Sequence, residues 1–409
     1  MTLRARRLCS GVVAVALATS GAAALAQARD PAGHHGPAST RGQPKPSLFG
    51  VDTSTYDKKK GDFFKNVPAA KALGVRWIRW TLGPKSAVGD YAAAGYLVNQ
   101  ARAHGMGIFL SFAGIPEACS LRPVPANVRD CPPTTPTDRR HYEAYVRRVL
   151  LHFRGKVTYY ESWRNPNLKG SWSPRPSAAE YAALLRADYA TFQSVNHRYH
   201  THLKLLFASP INFGLLPQHH GSIAALPYTH NVLADLHRVK AFNGIALHAY
   251  RYPPGKFGPF AHGYDRVDNI PIPRHARGPF PAEGCDRTPV CHMTWAGELR
   301  AYEQEFKEHG YGTQPLWVTE FGWPGNSIPN GPYYPSTTVQ KRYLEQAYGV
   351  LLKLHFVKAA FWYDVRNYQP GVKTGDPPWR FHYGLLEYDF QRKPAGAAFT
   401  ALARAHPGR

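Results

Sequence analysis

Residues 315–323 read PLWVTEFGW, a nearly continuous run of apolar and aromatic residues. A strand that is buried on both faces has this pattern, whereas a strand with one face in water alternates between apolar and polar residues. Further along the chain, Tyr343, Ala347 and Val350 recur at intervals of four and three, which is typical of an amphipathic helix. A buried strand followed by such a helix is the repeating unit of a parallel sheet that is covered by helices.

Eight runs of this kind occur along the chain, and segments with helical periodicity lie between them. The predicted strands are 48–54, 75–82, 107–113, 157–163, 203–209, 244–250, 315–323 and 358–365. Eight repeats predict an α/β fold, a (β/α)8 barrel that forms a single domain with long loops over residues 47–406. An open doubly wound sheet also alternates in this way, but it usually has a glycine-rich phosphate turn after its first strand, and GVDTSTYDKKKGD (50–62) has none. The pattern S/T-x-x-E/Q also predicts helix starts at Ser177 and Thr337.

The amino-terminal region has the composition of a secretory signal. Residues 1–28 combine a basic start, a short apolar run and small residues at a cleavage site, so we expect the protein to be secreted. Residues 29–46 are polar and rich in proline and glycine, which predicts a flexible leader. We expect no transmembrane segment, because no later stretch approaches the roughly 20 apolar residues that a membrane helix needs.

The 409-residue chain is strongly basic, with 50 Lys and Arg against 27 Asp and Glu, a formal net charge of +23. No nucleic-acid-binding motif accompanies this charge, and export makes an acidic glycan the more economical partner. No motif indicates a cofactor or a metal, and the sequence does not indicate the oligomeric state.

Four cysteines follow the signal, in an extracellular context that favours disulfides. Three pairings are open, and proximity in sequence favours Cys119 with Cys131 and Cys285 with Cys291.

Carboxylates, aromatic rings and basic groups stand at the ends of the predicted strands, which form the working face of a barrel. Aromatic faces stack on sugar rings, and carboxylates and amides bind hydroxyl groups, so this combination predicts a carbohydrate site. The candidates for substrate binding are Arg79, Trp163, Arg164, His248, Tyr250, Trp323, Trp362 and Asp364. Asp52, Glu117 and Asn212 lie at the same predicted edge.

Three segments resemble the clan A glycoside hydrolases. Residues 158–189, which begin TYYESWRNPN, resemble the fourth-strand region of that clan, where the pattern is Y-E-x-W-N-E-P-N. Residues 315–323 resemble its seventh-strand segment W-x-T-E-x-G-W, and residues 381–399 resemble its closing segment. The resemblance covers roughly residues 48–403 and is strongest to the group of β-xylosidases and α-iduronidases and to its cellulase-like neighbours.

The resemblance implies a retaining mechanism in which Glu320 is the nucleophile. The clan's acid/base glutamate falls on Asn165, and Arg164 stands where the clan has asparagine. A retaining mechanism needs two carboxyl groups about 5–5.5 Å apart, and an amide has no proton to give in the useful pH range. Glu161 precedes Asn165 by four residues, about 13 Å along an ideal strand, so we expect it to lie too deep to replace the missing acid.

Two functions remain open at this point. The protein is either a hydrolase of O-glycosidic bonds in a poly- or oligosaccharide, or a carbohydrate-binding pseudoenzyme that turns nothing over. As a hydrolase it would need a leaving group that departs without protonation, or a substitute acid such as Glu117 or Asp364. The alternative for Glu320 is a buried carboxylate that pairs with Arg79 and shapes the barrel mouth.

Overall fold

The computed structural model describes residues 43–53, 64–83, 89–113, 131–211, 222–250, 295–325, 336–369 and 381–409. All of them belong to one compact unit, Ser39–Arg409, and they form eight strands that alternate with eight helices. The strands are β1 (Gly50–Asp52), β2 (Trp77–Leu82), β3 (Gly107–Phe112), β4 (Tyr159–Glu161), β5 (Lys204–Leu206), β6 (Ile245–His248), β7 (Leu316–Phe321) and β8 (Val357–Trp362). The helices are α1 (Asn66–Ala72), α2 (Ala92–Ala103), α3 (Pro136–His152), α4 (Ala178–Tyr199), α5 (Ala225–Leu236), α6 (Trp295–Glu308), α7 (Thr337–Leu351) and α8 (Pro394–Ala405). None of the helices in these ranges is long and apolar enough to cross a bilayer.

The sheet is entirely parallel and closes on itself. Its strand order is β5-β4-β3-β2-β1-β8-β7-β6. Between β5 and β6, Phe207 N donates to Gly244 O at 2.9 Å, Ala246 N donates to Phe207 O at 3.2 Å, and Ile211 forms a parallel bridge with His248. The predicted (β/α)8 barrel is therefore confirmed, and the open doubly wound sheet is excluded.

Each of the eight predicted strands is present, although most are shorter than the apolar run that predicted them. The run 157–163, for example, contains only three strand residues, Tyr159–Glu161. Beyond Glu161 the parallel pairing continues at Arg164, which bridges to Ser209, so the residues that follow β4 lie at the carboxyl end of the barrel.

The helix starts were predicted in part. Ser177 is the N-cap of α4, and its side chain accepts a hydrogen bond from Glu180 N at 3.3 Å, as expected. The predicted start at Thr337 is one residue late, because Ser336 is the N-cap of α7 and accepts from Val339 N at 3.3 Å. Both residues carry a hydroxyl group, but Ser336 has the extended backbone that an N-cap needs.

Large aromatic side chains fill the barrel interior. The cluster consists of Trp77, Phe109, Leu206, Ala246, Trp317, Ala359 and Phe361, all buried. A Cβ atom on Gly107 would lie 2.2 Å from Cε2 of Trp77, so the indole ring fits only because the facing residue is glycine. Side chains alternate along a strand, so the residues two positions after Trp77 and Ala246 also point inward. Those residues are Arg79 and His248.

The inward side of β7 changes partway along the strand. Trp317 belongs to the interior cluster, and strict alternation would place Thr319 inward with it. The register of β7 against β8 shifts between Val318 and Phe321, and Glu320 is the residue that enters the barrel. This irregularity places the candidate nucleophile inside the mouth.

A buried lysine ties the closing segment to the loop after β7. Lys393, the N-cap of α8, donates from Nζ to Gly325 O at 2.8 Å and to His382 O at 2.9 Å, and Asn367 Oδ1 lies at 3.4 Å. Burial lowers the pKa of Lys393 to about 7, against the opposing charge of Glu387. The native state therefore releases the proton of Lys393 at a lower pH than the unfolded chain does.

Candidate active site

One arginine binds three carboxylates at the carboxyl ends of the strands. Arg79 of β2 donates from Nη1 to Asp52 Oδ2 at 2.5 Å and to Glu320 Oε1 at 2.7 Å, and from Nη2 to Glu161 Oε2 at 3.1 Å. Burial alone would lower the pKa of Arg79, but the charges of Glu320, Glu161 and Asp52 outweigh it and raise the pKa. The guanidinium is therefore a permanent cation inside the barrel, surrounded by more negative charge than it can balance.

Glu320 is the carboxylate of this group that reaches the surface. It is 6% exposed, whereas Asp52 and Glu161 are 0% exposed. Arg79 holds one of its oxygens, and Tyr250 donates from its hydroxyl to the other, Oε2, at 3.0 Å. The carboxylate plane is thus fixed by Arg79 of β2 on one oxygen and by Tyr250, two residues after β6, on the other.

The protonation of Glu320 is set by opposing effects. Burial raises the pKa of its carboxyl group, and the charge of Asp52 adds to the rise. Arg79, Arg164 and the hydrogen bond from Tyr250 lower it, but the net shift is upward. The group therefore holds its proton to a higher pH than an ordinary glutamate.

His248 lies between Asn165 and this carboxylate. Asn165 Oδ1 is 2.7 Å from Nδ1 of His248, and His248 Nε2 is 3.4 Å from Glu320 Oε1, so one buried imidazole ring separates the amide from the carboxylate. A carbonyl oxygen only accepts hydrogen bonds, so His248 donates from Nδ1, and in the neutral ring Nε2 accepts from Ser209 Oγ at 2.9 Å. This arrangement points the NH2 group of Asn165 away from the histidine.

Glu161 is held by hydrogen bonds at the end of β4. Glu161 Oε1 accepts from Ser209 N at 2.8 Å, while Asn165 N donates to Ser209 O at 3.0 Å, so both residues contact the same residue of the neighbouring strand. The expectation that Glu161 lies too deep to replace the missing acid stays a prediction. Glu161 is nevertheless occupied by Arg79 and Ser209, so it is a structural carboxylate of the barrel.

Arg164 is half-buried and bridges to Ser209 through its backbone. Its charge lowers the pKa of Glu320 electrostatically, so it contributes positive potential at the same mouth. Arg79, Arg164, His248 and Tyr250 are thus brought together with Glu320 and Asn165.

The three tryptophans predicted as sugar platforms are core residues, and this prediction is wrong. Trp163, Trp323 and Trp362 are each 0% exposed. The ring of Trp163 packs against Trp172 at 5.6 Å between centroids, and its Nε1 donates to a backbone carbonyl. Trp323 and Trp362 pack against each other at 6.0 Å. A continuous apolar run gives no alternation from which the inward face could be read, and this is why the sequence misplaced them.

Tyrosines occupy the mouth instead. Tyr250, Tyr363, Tyr368 and Tyr383 cluster with Ile211, and the hydroxyls of Tyr363 and Tyr368 hydrogen-bond to each other. Tyr250 connects this cluster to Glu320. Sequence analysis missed the other three tyrosines. Of these three, only Tyr363 could have been found from the sequence, because it directly follows β8 and lies inside the apolar run 358–365 that predicted this strand.

The remaining predicted residues are placed as follows. Asp364 is buried after β8 and accepts from Val365 N at 2.6 Å, and its use as a substitute acid stays a prediction. Glu117 and Asn212 lie outside the described residues. So do Cys119, Cys285 and Cys291, while Cys131 is buried at 6% exposure, so the disulfide pairings stay predictions.

A cavity of about 570 Å³ opens at the other end of the barrel, among residues that precede or begin the strands. Lys204, Arg238, Lys240 and Lys358 line it, and the described residues around it include no carboxylate or histidine. Barrel enzymes act at the carboxyl ends of their strands, so this cavity is not the candidate active site.

The molecule is a (β/α)8 barrel with a cluster of charged side chains at the carboxyl ends of its strands. No protein family and no curated protein sequence matches the chain. Among solved structures, it is similar to a family 39 glycoside hydrolase from Bacteroides cellulosilyticus WH2, with a TM-score of 0.58 and 20% identity over 88% of this chain. The chain spans 64% of that structure.

Two further structures give the same picture. A GH5_18 protein from Streptomyces cattleya, solved in complex with GlcNAc, has a TM-score of 0.56 and 15% identity over 90% of this chain and 82% of its own. A β-glucuronidase from Bacteroides uniformis has a TM-score of 0.56 and 13% identity over 88% of this chain and 35% of its own. These similarities establish the fold.

Proposed function

We propose that the protein is a secreted glycoside hydrolase that cleaves O-glycosidic bonds of an oligo- or polysaccharide by a retaining mechanism, with Glu320 as nucleophile. The observation that carries the proposal is the fixed carboxylate of Glu320 at the barrel mouth, held on one oxygen by Arg79 and on the other by Tyr250. A carboxylate that is oriented in this way can attack a sugar without reorganisation of its surroundings.

In the first step, Glu320 bonds to the anomeric carbon while the glycosidic C–O bond breaks and the leaving group departs with the electron pair. Arg79 stays bound to the carboxylate cluster and balances part of its charge throughout. Only the ionised carboxylate attacks, and burial raises the pKa of Glu320, so the activity should fall on the acid side at a higher pH than for an ordinary glutamate.

The second carboxylate of the mechanism is missing, and this restricts the substrate. Asn165 can donate a hydrogen bond from its NH2 group, but it cannot protonate the leaving group or later deprotonate water. We therefore propose a substrate whose leaving group is stable as an anion. Hydrolysis of the glycosyl-enzyme lacks its base, so this intermediate should accumulate.

An acidic sugar residue is the substrate class that suits the charge of the mouth. Arg164 acts electrostatically on Glu320 and lies next to the gap left by the missing glutamate, where it can pair with a carboxylate or sulfate of the glycan. The net charge of +23 would attract the same polymers over a longer range.

A second candidate function is carbohydrate binding without turnover. The amide at position 165 favours it, because the group that normally moves the proton is absent. Tyr250 would serve either function, since its hydroxyl group fixes the carboxylate of Glu320 that faces the sugar.

Azide separates the two functions, because it attacks a glycosyl-enzyme without a base. The full chain is assayed with 2,4-dinitrophenyl glycosides of xylose, glucose, galactose and glucuronic acid, with and without sodium azide. We expect azide to accelerate hydrolysis of at least one of them and to give a glycosyl azide with the anomeric configuration of the substrate.

Glu320→Gln should abolish this turnover, and Glu345→Gln, an exposed carboxylate on α7, is the matched control that should not change it. Binding of glycans without turnover of any glycoside, with or without azide, would establish the second function in place of the first.

A further inference from the structure

Two helices on the outside of the barrel bring together two histidines and a glutamate. His230 lies on α5, Glu305 lies on α6, and His309 follows the last residue of α6. His230 Nδ1 is 2.7 Å from Glu305 Oε1, and His309 Nδ1 is 3.1 Å from the same oxygen. One donor atom from each residue lies within 4.8 Å of the other two, and within the described residues this is the one group of its kind.

The geometry of the helices explains why the three side chains meet. Glu305 and His309 are four residues apart, which places them on one face of a helix, and His230 approaches that face from the neighbouring helix. The imidazole rings are 4.6 Å apart and nearly perpendicular, at 81°. No spacing in the sequence indicates the cluster, because His230 precedes Glu305 by 75 residues.

The cluster is accessible to an ion from solution. The side chain of His230 is 40% exposed, that of His309 is 17% exposed and that of Glu305 is 13% exposed. The cluster is therefore partly held by packing. Its exposed side is open to water, which can complete the coordination shell of an ion.

We propose that His230, Glu305 and His309 bind a divalent first-row transition-metal cation, with Zn²⁺ as the reference ion and water as the fourth ligand. Two donors at about 2.1 Å from a tetrahedral zinc lie about 3.4 Å apart. The observed 2.7 and 3.1 Å gaps between donors need to open by less than 1 Å to admit the ion. Two imidazole nitrogens select such metals over Ca²⁺ and Mg²⁺, which prefer oxygen ligands.

The site joins α5 to α6 and is independent of the proposed glycosidase chemistry, because its residues lie on outer helices and not at the strand ends. In the absence of metal, His230 Nδ1 hydrogen-bonds to Glu305 Oε1 at 2.7 Å and His309 Nδ1 hydrogen-bonds to the backbone carbonyl of Glu305 at 3.0 Å. The three residues are thus already gathered, and His309 exchanges its bond to the carbonyl for the ion when the metal binds. A metal that binds only the folded chain raises the melting temperature in proportion to the logarithm of its concentration over its Kd.

Isothermal titration calorimetry of the full, untagged, metal-free chain with ZnCl2 tests the proposal. We expect one Zn²⁺ per chain at this site and a higher melting temperature in its presence. His230→Asn and Glu305→Gln should each weaken the affinity for Zn²⁺ by about 10²-fold. Loss of a residue that only hydrogen-bonds to a metal ligand already weakens metal affinity by about 10–100-fold, and loss of the ligand itself should cost at least as much. His197→Asn, an exposed histidine on α4, is the matched control and should leave the affinity unchanged.

Glu305→Gln retains hydrogen-bonding capacity, so its zinc affinity tests the proposal even if His230→Asn unfolds the chain. Thermal melts followed by circular dichroism without metal show whether each variant is folded. Unchanged zinc affinity in a folded Glu305→Gln variant would place the ion elsewhere on this histidine-rich chain and overturn the proposal. The absence of any zinc binding would do the same.

Discussion

Replacement of Asn165 by glutamate should restore the missing acid/base group. Proton transfer by a positioned side chain is worth about 10²–10⁴-fold, or about 3–5 kcal/mol at 1.36 kcal/mol for each tenfold change in rate. The new carboxyl group would be separated from Glu320 by the imidazole ring of His248, which lies 2.7 Å from Asn165 and 3.4 Å from Glu320. We therefore expect kcat/KM for an unactivated alkyl glycoside to rise by about 10²-fold or more.

Asn165→Glu should lower the stability of the fold but not the rate of the reaction. Asn165 has a φ of 48°, in the left-handed region that asparagine adopts more easily than glutamate, so the variant should lose roughly 1 kcal/mol of stability. For a dinitrophenyl glycoside, whose leaving group needs no proton, the first step should change less than about tenfold.

Steady-state kinetics on the two substrate types provide the assay, and Asn165→Gln is the control because it adds length without an acid. A variant Asn165→Glu that folds and binds the sugar but gains no activity on the alkyl glycoside would refute the placement of position 165 opposite the nucleophile.

Three further predictions concern stability. Burial raises the pKa of Glu320, so its stabilising contribution is complete below the ordinary carboxyl pKa of about 4.3 and is lost as the pH rises through the raised value. Glu320→Gln should therefore be more stable than the native chain near pH 7.5, on the order of 1 kcal/mol, and not at pH 4, as thermal melts at the two pH values would reveal. Lys393, whose pKa is lowered to about 7, should contribute most to the free energy of unfolding above pH 10.5, and this contribution should decline as the pH falls towards 7, on the order of 5 kcal/mol in all. Urea unfolding between about pH 7 and 10.5 should show that the free energy of unfolding depends less steeply on pH in Lys393→Met than in the native chain. An equal dependence on pH would contradict the lowered pKa of Lys393. Gly107→Ala should lose about 1–3 kcal/mol because its Cβ would meet Trp77, whereas Gly95→Ala, with open space on α2, should gain about 1 kcal/mol; equal melting temperatures would show that the barrel interior is not tightly packed there.

The barrel was predictable because each strand is buried on both faces and therefore appears as an apolar run. Because these runs are apolar throughout, they do not show which side chains point into the barrel and which point towards the helices. Trp163 and Trp323 stand at strand ends in the sequence, yet both rings point into the core outside the barrel interior. Glu320 enters the mouth through a register shift in β7, which periodicity alone would not have placed.

Residues that meet through loops or helices were harder to predict. Tyr368 and Tyr383 reach the mouth from segments after β8 that have no periodic pattern, and the cluster of His230 and Glu305 depends on the packing of two helices. Glu320 and Asn165 were chosen as candidates because the segments around them resemble glycoside hydrolase motifs, and composition alone would not have indicated them. The sequence therefore predicts the architecture, the roles of Glu320 and Asn165 stay predictions, and the surrounding contacts require coordinates.

The central claim is that the carboxylate of Glu320 bonds covalently to the sugar. The direct measurement is mass spectrometry of the full chain after incubation with 2,4-dinitrophenyl 2-deoxy-2-fluoro glycosides of the four sugars, followed by peptide mapping. We predict that the mass of one fluoro sugar is added to the peptide that contains Glu320, and that Glu320→Gln remains unlabelled. A label on any other carboxylate, or azide-accelerated turnover in a chain that lacks the label, would contradict the account.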